Sequence, residues 1–214
     1  MTLPVHWVPS LAGVRPGQPV TVEGDEAHHA VVVRRLRAGE RVVLTDGLGT
    51  SVTGTVAETG KRSLVVTVEE VASQERPQPS FTVVQALPKG DRAAKALARW
   101  RSTSREAAKQ ARRSWFPEVH DLAATGEVSD RVAGAALAVV LHEEAGAPLA
   151  TVEVPDHGEV VVVVGPEGGL TDDEVAAFTA AGGHAVRLGS EVLRTSTAGV
   201  AAVSALLARS PRWR

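Results

Sequence analysis

Apolar and polar positions alternate over short stretches in the first third of the chain. Val52, Gly54 and Val56 alternate with threonines, as expected for a strand with one buried face. Acidic residues suited to a helix N-terminus open one helix, and Gly39 follows it. The predicted elements are strands at residues 41–46, 51–59 and 62–71 and a helix at residues 25–36. Together they predict a small β-barrel domain in residues 1–74.

The hydrophobic pattern changes after the polar, linker-like residues 73–79. Beyond them the apolar residues form continuous runs, which are typical of strands covered on both faces in a parallel sheet. Such strands are predicted at residues 81–87, 136–141, 160–164 and 185–188, and helices at residues 93–113, 171–181 and 198–208. Thr171 and Glu174 have the spacing of a capping box. Residues 75–214 are therefore predicted to form an α/β domain with a parallel sheet.

The amino-acid composition indicates where in the cell the protein functions. The 214 residues are 43% hydrophobic and 22% charged, which is an ordinary globular composition. The absence of cysteine excludes disulfides, thiolate catalysis and cysteine metal sites. No apolar run approaches the ~18 residues of a membrane span, and residues 1–6 lack the regions of a signal peptide. We therefore expect a cytoplasmic protein.

The net charge of −2 conceals a strongly basic segment. Residues 89–113 carry nine Lys and Arg against two Asp and Glu, and both flanking parts are acidic. Arginines with interleaved tryptophans suit phosphate contact and base stacking in RNA, although a solvated helix face is an equally open interpretation. A second basic cluster lies in the first domain. The candidate RNA-binding residues are Arg34, Arg35, Arg37, Arg105, Lys109, Arg112 and Arg113.

Glycine-rich or polar residues follow three of the predicted strands and form candidate ligand-binding loops. The valine strand 160–164 leads directly into a glycine-rich loop and a helix N-terminus, where ligands bind in α/β sheets. A tight turn without a ligand is the alternative. A second loop, residues 188–197, also joins a strand to a helix and carries Arg194, which a structural ion pair would also explain. His142 follows a third strand. The sequence contains no Walker A, dinucleotide-binding, zinc-protease or serine-hydrolase motif.

These loops carry a family resemblance. Gly165-Pro166-Glu167-Gly168-Gly169, and Leu188-Gly189 followed by Val192-Leu193-Arg194-Thr195, resemble the SPOUT-class methyltransferases. More narrowly, the chain resembles the bacterial enzymes that methylate uridine on ring nitrogen three in 16S ribosomal RNA. Residues 28–36, 39–42 and 46–49 resemble the PUA-like RNA-binding domain of that family, and residues 106–119 resemble its helix-to-strand segment.

The resemblance implies an α/β fold with a C-terminal trefoil knot, S-adenosylmethionine as cofactor, a homodimer, and no metal. The small ribosomal subunit is the implied partner. The residues implied to hold the cofactor are Leu141, His142, Glu143, Gly165, Pro166, Glu167, Gly168, Gly169, Leu188, Gly189, Ser190, Leu193, Arg194 and Thr195.

Methylation of uracil requires that the proton on the ring nitrogen leave and that the resulting anion be stabilised. Arg194 is the first candidate for anion stabilisation and Arg113 the second, while Glu143 and Glu167 are candidates for proton acceptance. Two other functions stay open: a non-catalytic RNA-binding or ribosome-assembly protein that keeps the fold, and a SPOUT methyltransferase that acts on another RNA.

The sequence departs from the family at two places. Position 196 is serine where the family commonly has glutamate, which puts any role of that carboxylate in doubt. Residues 88–92 lead directly into Ala93, where family members carry a further helix and strand. Either this chain has a deletion at this point, or the sequence omits a segment of the natural chain. Because the loss of a strand should disrupt an α/β sheet, we expect an omission.

Overall fold

The computed structural model describes residues 3–87 and 91–213. The chain forms two compact units: Met1–Arg76 with Ala98–Val119, and Pro77–Leu97 with His120–Arg214. The division predicted from the sequence, residues 1–74 and 75–214, assigns residues 98–119 to the second domain, whereas the structure groups them with the first unit. None of the helices within the described ranges is long and apolar enough to cross a membrane.

The first unit is built on a five-stranded sheet. Its elements are β1 (Val5–Trp7), β2 (Pro19–Glu23), α1 (Gly24–His28) continued by a π-helical turn (His29–Val33), β3 (Arg41–Thr45), β4 (Thr50–Thr59) and β5 (Ser63–Ser73). The strand order is β1-β3-β4-β5-β2, in which only the β1–β3 pair is parallel. Alternate residues of β3 and β4 enter the core, among them Val42, Leu44, Val52 and Val56. The three predicted strands and the predicted helix are confirmed, with boundaries that differ by at most three residues.

The second unit contains an entirely parallel sheet. Its elements are β6 (Ser80–Gln85), the first part of α2 (Asp91–Gln110), α3 (Thr125–Gly134), β7 (Leu137–Leu141), β8 (Ala147–Pro148), β9 (Glu159–Val164), α4 (Asp172–Ala180), β10 (His184–Arg187) and α5 (Thr195–Leu207). The strand order is β6-β9-β7-β10-β8. The predicted α/β class and the parallel sheet are confirmed.

Helices cover both faces of this sheet, which explains the uninterrupted valine run of β9. Val160 and Val162 pack with Leu206 of α5 on one face. Val161 and Val163 pack with side chains of α3 and α4 on the other face. Because all four valines are fully buried, every side chain of the strand interior contributes to a core.

A local signal in the sequence sets the start of α4. The capping box predicted at α4 is present: the Glu174 amide donates to the Thr171 hydroxyl at 3.3 Å, and the Thr171 amide donates to the Glu174 carboxylate at 2.9 Å.

The junction between Arg92 and Ala93 lies within α2, and residues 88–90 lie outside the described part of the chain. The expectation of a missing segment stays a prediction.

Candidate functional site

A cavity of about 560 Å³ opens at the carboxyl ends of the parallel strands β7, β9 and β10. This is the edge at which α/β sheets bind ligands, because loops and helix N-termini converge there. The lining residues are 141–143, 164–167, 169, 170, 187–196 and 198. The three loops that the sequence singled out therefore meet at one cavity of the second unit.

The loop after β9 forms a tight turn at the cavity wall. The Gly169 amide donates to the Pro166 carbonyl at 3.0 Å, and Gly169 has φ of +78°, a conformation that favours glycine. A Cβ added at Gly165 would lie 3.1 Å from both the backbone nitrogen and the Cγ of Leu170. The glycines at these two positions thus serve the turn itself.

Two other glycines differ in their relation to the cavity. Gly189 lines it, and among the described residues an added Cβ would meet only the Glu191 carboxylate, at 3.7 Å. Gly168 was expected to contact the cofactor, yet it is not among the lining residues, and a Cβ there would meet no atom of the described residues within 4 Å.

Arg194 is fixed through its backbone while its side chain stays open to solvent. It is the N-cap residue of α5, and its carbonyl accepts from the amides of Thr197 at 2.8 Å and Ala198 at 2.9 Å. Within residues 3–87 and 91–213, no carboxylate pairs with its guanidinium. The structural ion pair considered as an alternative for Arg194 is therefore not found in the described chain.

The two candidate proton acceptors lie at the cavity, whereas Arg113, the second candidate for anion stabilisation, does not. Glu143 and Glu167 both line the cavity and are exposed. Arg113 is not among the lining residues; it belongs to the first unit, where its Nε donates to the Trp115 carbonyl at 3.1 Å.

One cavity arginine was missed by the sequence analysis. Arg187, at the end of β10, donates from Nη1 to the carbonyls of Ala145 and Gly146, both at 2.9 Å. It thereby ties the loop after β7 to β10 and stabilises one wall of the cavity. Basic residues are common at strand ends, so nothing in the sequence distinguishes Arg187.

The basic residues of α2 differ in their availability. Arg105 stacks over the Trp7 ring at 4.4 Å from its centroid and remains exposed. Lys109 was expected to bind RNA, but it is 8% exposed and its ammonium lies 2.8 Å from carboxylate oxygens of both Glu26 and Glu106. Since two carboxylates already compensate this charge, we leave Lys109 out of the RNA surface. Arg34, Arg35, Arg37, Arg112 and Arg113 are exposed.

Glu26 is a strongly perturbed titratable group of the first unit. Its carboxylate accepts from His6 Nδ1 at 3.1 Å, from the Trp7 amide at 3.3 Å and from Lys109. Burial raises its pKa, but the hydrogen bonds from His6 and Lys109 and the charge of Lys109 outweigh burial and bring the pKa to about 2. This group stabilises the first unit and lies outside the cavity.

Two protein-family models match this chain, one mainly in the second unit and one in the first. Residues 78–207 match the model of an RNA methyltransferase domain. The chain belongs to the RNA methyltransferase family. Residues 22–69 match an RNA methyltransferase PUA domain, so the first unit of this methyltransferase contains the RNA-binding domain that the resemblance implied. The family resemblance found in the sequence is confirmed.

Relatives and solved structures of RNA methyltransferases extend the comparison over nearly the whole chain. The ribosomal RNA small subunit methyltransferase E of Mycobacterium bovis is 38% identical over 233 residues, covering 92% of this chain and 89% of the relative. The protein of the same name from Bacillus subtilis is 27% identical, covering 87% and 88%.

Among structures, the Neisseria gonorrhoeae ribosomal RNA small subunit methyltransferase E, bound to S-adenosylmethionine, gives a TM-score of 0.82 at 25% identity and covers 96% of this chain and 97% of that one. A Legionella pneumophila protein described as a putative methyltransferase, also with S-adenosylmethionine, shares the fold at a TM-score of 0.83 and 24% identity, covering 98% and 99%.

Proposed function

We propose that this protein transfers a methyl group from S-adenosylmethionine to ring nitrogen three of a uridine in 16S ribosomal RNA of the small subunit. The observation that carries the proposal is the cavity at the ends of β7, β9 and β10, in a chain whose relatives are named ribosomal RNA small subunit methyltransferases. The uridine nitrogen rests on the resemblance noted in the sequence.

The cavity suits a cofactor of this size and chemistry. Its volume of about 560 Å³ lies within the ~300–1,000 Å³ typical of small-molecule sites. Apolar side chains such as Leu141, Leu188 and Leu193 line it beside loop backbone, which suits an adenosine group. The loops at 141–143, at 165–167 with Gly169, and at 188–195 would hold S-adenosylmethionine, which supplies the methyl group.

The reaction requires a uracil anion, since the neutral ring nitrogen carries a proton and is a poor nucleophile. Arg194 would stabilise the negative charge that develops on the uracil carbonyl oxygens, because its guanidinium is unpaired in the described chain and lies at a cavity-lining position. Glu143 or Glu167 would accept the proton. Arg113 is a weaker candidate, because it does not line the cavity.

RNA would be held by exposed arginines of the first unit. Arg34, Arg35 and Arg37 follow the π-helical turn, while Arg112 and Arg113 follow α2. Arginine contacts with phosphates release counterions, so binding should weaken as salt rises. Because ribosomal RNA is the proposed substrate, we place the protein in the cytoplasm. The proposed reaction needs no metal.

The family resemblance further leads us to propose a trefoil knot and a homodimer. Exposed valines on and beside α5 support the dimer. Val200 of α5 is 72% exposed. Val83 of β6 is 43% exposed and lies next to the same helix, since a Cβ added at Gly199 would be 3.5 Å from it. An apolar surface of this kind is typical of a protein interface, and two-fold pairing is the commonest closed assembly.

Calorimetry with S-adenosylmethionine tests the cofactor first, and mass mapping of RNA after incubation with small subunits tests the reaction. We expect saturable cofactor binding and one methylated uridine in 16S ribosomal RNA. Cofactor binding with methylation of a different RNA would refute the substrate. The absence of cofactor binding would favour the non-catalytic RNA-binding protein.

A further inference from the structure

The first unit contains a second concave site, separate from the cofactor cavity. It has a volume of about 340 Å³ and is lined by residues of β1, β3 and β4, by Leu3, and by the segment that follows α2. The lining residues are Leu3, Val5, Val43, Thr45, Ser51, Arg112, Arg113 and Ser114. None of them is acidic.

The floor of this pocket is the outer face of the sheet. Val5 pairs with Val43, and Thr45 pairs with Ser51, in the registers of β1–β3 and β3–β4. The alternate residues of β3 point into the core instead. The valines are half-buried rather than enclosed, which leaves apolar surface beside hydroxyl groups.

The rim is held in place by contacts within the same unit. Arg112 lies two residues past the end of α2, in the left-handed region with φ of +54°, and its amide donates to the Lys109 carbonyl at 3.0 Å. The Ser114 carbonyl accepts from the Gly49 amide at 2.9 Å. Lys109 itself is anchored to Glu26. The two arginines are therefore presented from a fixed backbone.

The polar groups at the pocket divide into satisfied and available ones. The Thr45 hydroxyl donates to the Thr50 carbonyl and accepts from the Gly47 amide, both at 3.1 Å. The side chains of Ser51, Ser114 and Arg112 have no protein partner in the part of the chain that the structure describes. Two cations, two available hydroxyls and an apolar floor form a complementary surface for a phosphate joined to a planar base.

We propose that this pocket binds one unstacked nucleotide of the RNA substrate, with its base against Val5 and Val43 and its phosphate at Arg112 and Arg113. The nucleotide is distinct from the base that is methylated, which belongs to the cavity of the second unit. The inference rests on the proposed function only in taking RNA as the ligand. A volume of about 340 Å³ is in the range of ~300–1,000 Å³ typical of such sites.

The test fills the pocket without changing charge. Ser51→Phe places a ring at the pocket wall, and Thr67→Phe, at an exposed position of β5 that does not line the pocket, is the matched control. Binding of a fluorescein-labelled single-stranded RNA from the small subunit is measured by anisotropy without cofactor. We expect Ser51→Phe to weaken binding by about tenfold, corresponding to the loss of one base contact, and Thr67→Phe to bind like the wild type.

A second pair of variants guards against misfolding of Ser51→Phe. Arg112→Ala removes a pocket cation, and Arg15→Ala removes an equal, exposed charge elsewhere in the same unit. A larger loss of RNA affinity in Arg112→Ala than in Arg15→Ala supports the pocket. A 4-thiouridine in the RNA should also crosslink to peptides that contain Val5 or Val43 in the wild type.

Three outcomes would overturn the proposal. The first is wild-type affinity in a folded Ser51→Phe, and the second is equal losses in the two arginine variants. The third is tight binding of free uridine monophosphate that Ser51→Phe abolishes and that excess RNA does not compete away, which would assign the pocket to free nucleotides. A wild type that binds neither RNA nor S-adenosylmethionine contradicts the proposed function instead, so the two failures are distinguishable.

Discussion

Lys109 Nζ lies 2.8 Å from a carboxylate oxygen of Glu26, a residue 83 positions earlier in the chain. Both side chains are largely buried, 8% and 13% exposed, so the Glu26 carboxylate depends on Lys109 for charge compensation. The pair joins the end of α2 to α1 within the first unit. It therefore holds the segment that presents Arg112 and Arg113.

Lys109→Met should lower the free energy of unfolding by about 3 kcal/mol, because it leaves the Glu26 carboxylate buried without its cation. Urea unfolding at neutral pH measures the change. Arg62→Met is the matched control, because the Arg62–Asp25 pair is 62% and 97% exposed and should contribute less than about 1 kcal/mol. Equal effects of the two substitutions would show that burial does not strengthen the Lys109 pair.

Acid should remove the contribution of Glu26. Its pKa is about 2 in the folded protein and near 4.5 in the unfolded chain, so its stabilisation is complete above pH 5 and is lost as the pH falls toward 2. The difference in unfolding free energy between the wild type and Glu26→Gln should therefore shrink by about 3 kcal/mol between pH 6 and pH 2. Urea titrations of both proteins across this interval test it, and a pH-independent difference would contradict it.

Cofactor binding should respond to bulk at one glycine and not at another. Gly189→Val adds a side chain at a cavity-lining position that has room for a Cβ, so the affinity for S-adenosylmethionine should fall with the fold retained. Gly168→Val, where an added Cβ meets no atom of the described residues within 4 Å, should leave that affinity unchanged. Calorimetry on both variants decides. The reverse order of effects would place the cofactor on the other side of the glycine-rich turn.

The proposed dimer should dissociate when charge is placed on α5. Val200 is 72% exposed, so Val200→Glu should leave each chain folded while burying a carboxylate in any interface formed there. We expect a dimer for the wild type and a monomer for the variant by light scattering at micromolar concentration. Thr67→Glu, at an exposed position of β5, is the control that should stay dimeric. A dimeric Val200→Glu would move the interface away from α5.

The extended apolar patterns predicted most of the elements, and their exceptions have physical causes. The strands β4 and β9 were predictable because burial on one face or on both leaves a distinct pattern over many residues. β1, of three residues, and β8, of two, are too short to show a period, and β2 begins with proline. α3 was missed because Gly126 and Gly134 interrupt its helical pattern.

The part of the candidate site that is formed by loops at strand ends was predictable from the sequence. Loops that follow parallel strands converge at one sheet edge, so the sequence could indicate that residues 141–143, 165–169 and 188–195 meet. The sequence could not show that Lys109 is neutralised by Glu26, because pairing across 83 residues depends on the tertiary fold. For the same reason it could not assign Arg113 to a pocket with Val5 and Val43 rather than to the cavity.

Arg194 can act on the RNA base or on the cofactor, and kinetics separates these roles. Its guanidinium, which has no carboxylate partner among the described residues, stands at the start of α5, where the helix N-terminus already favours negative charge. If it stabilises the uracil anion, Arg194→Ala should lower kcat by about 10²–10³-fold with little change in cofactor affinity. If it binds the cofactor carboxylate, the affinity should fall instead. Arg194→Lys retains the charge without the planar fork and should recover only part of either loss. Single-turnover methylation and calorimetry on both variants test this, and near-normal values for Arg194→Ala in both measurements would remove Arg194 from the reaction.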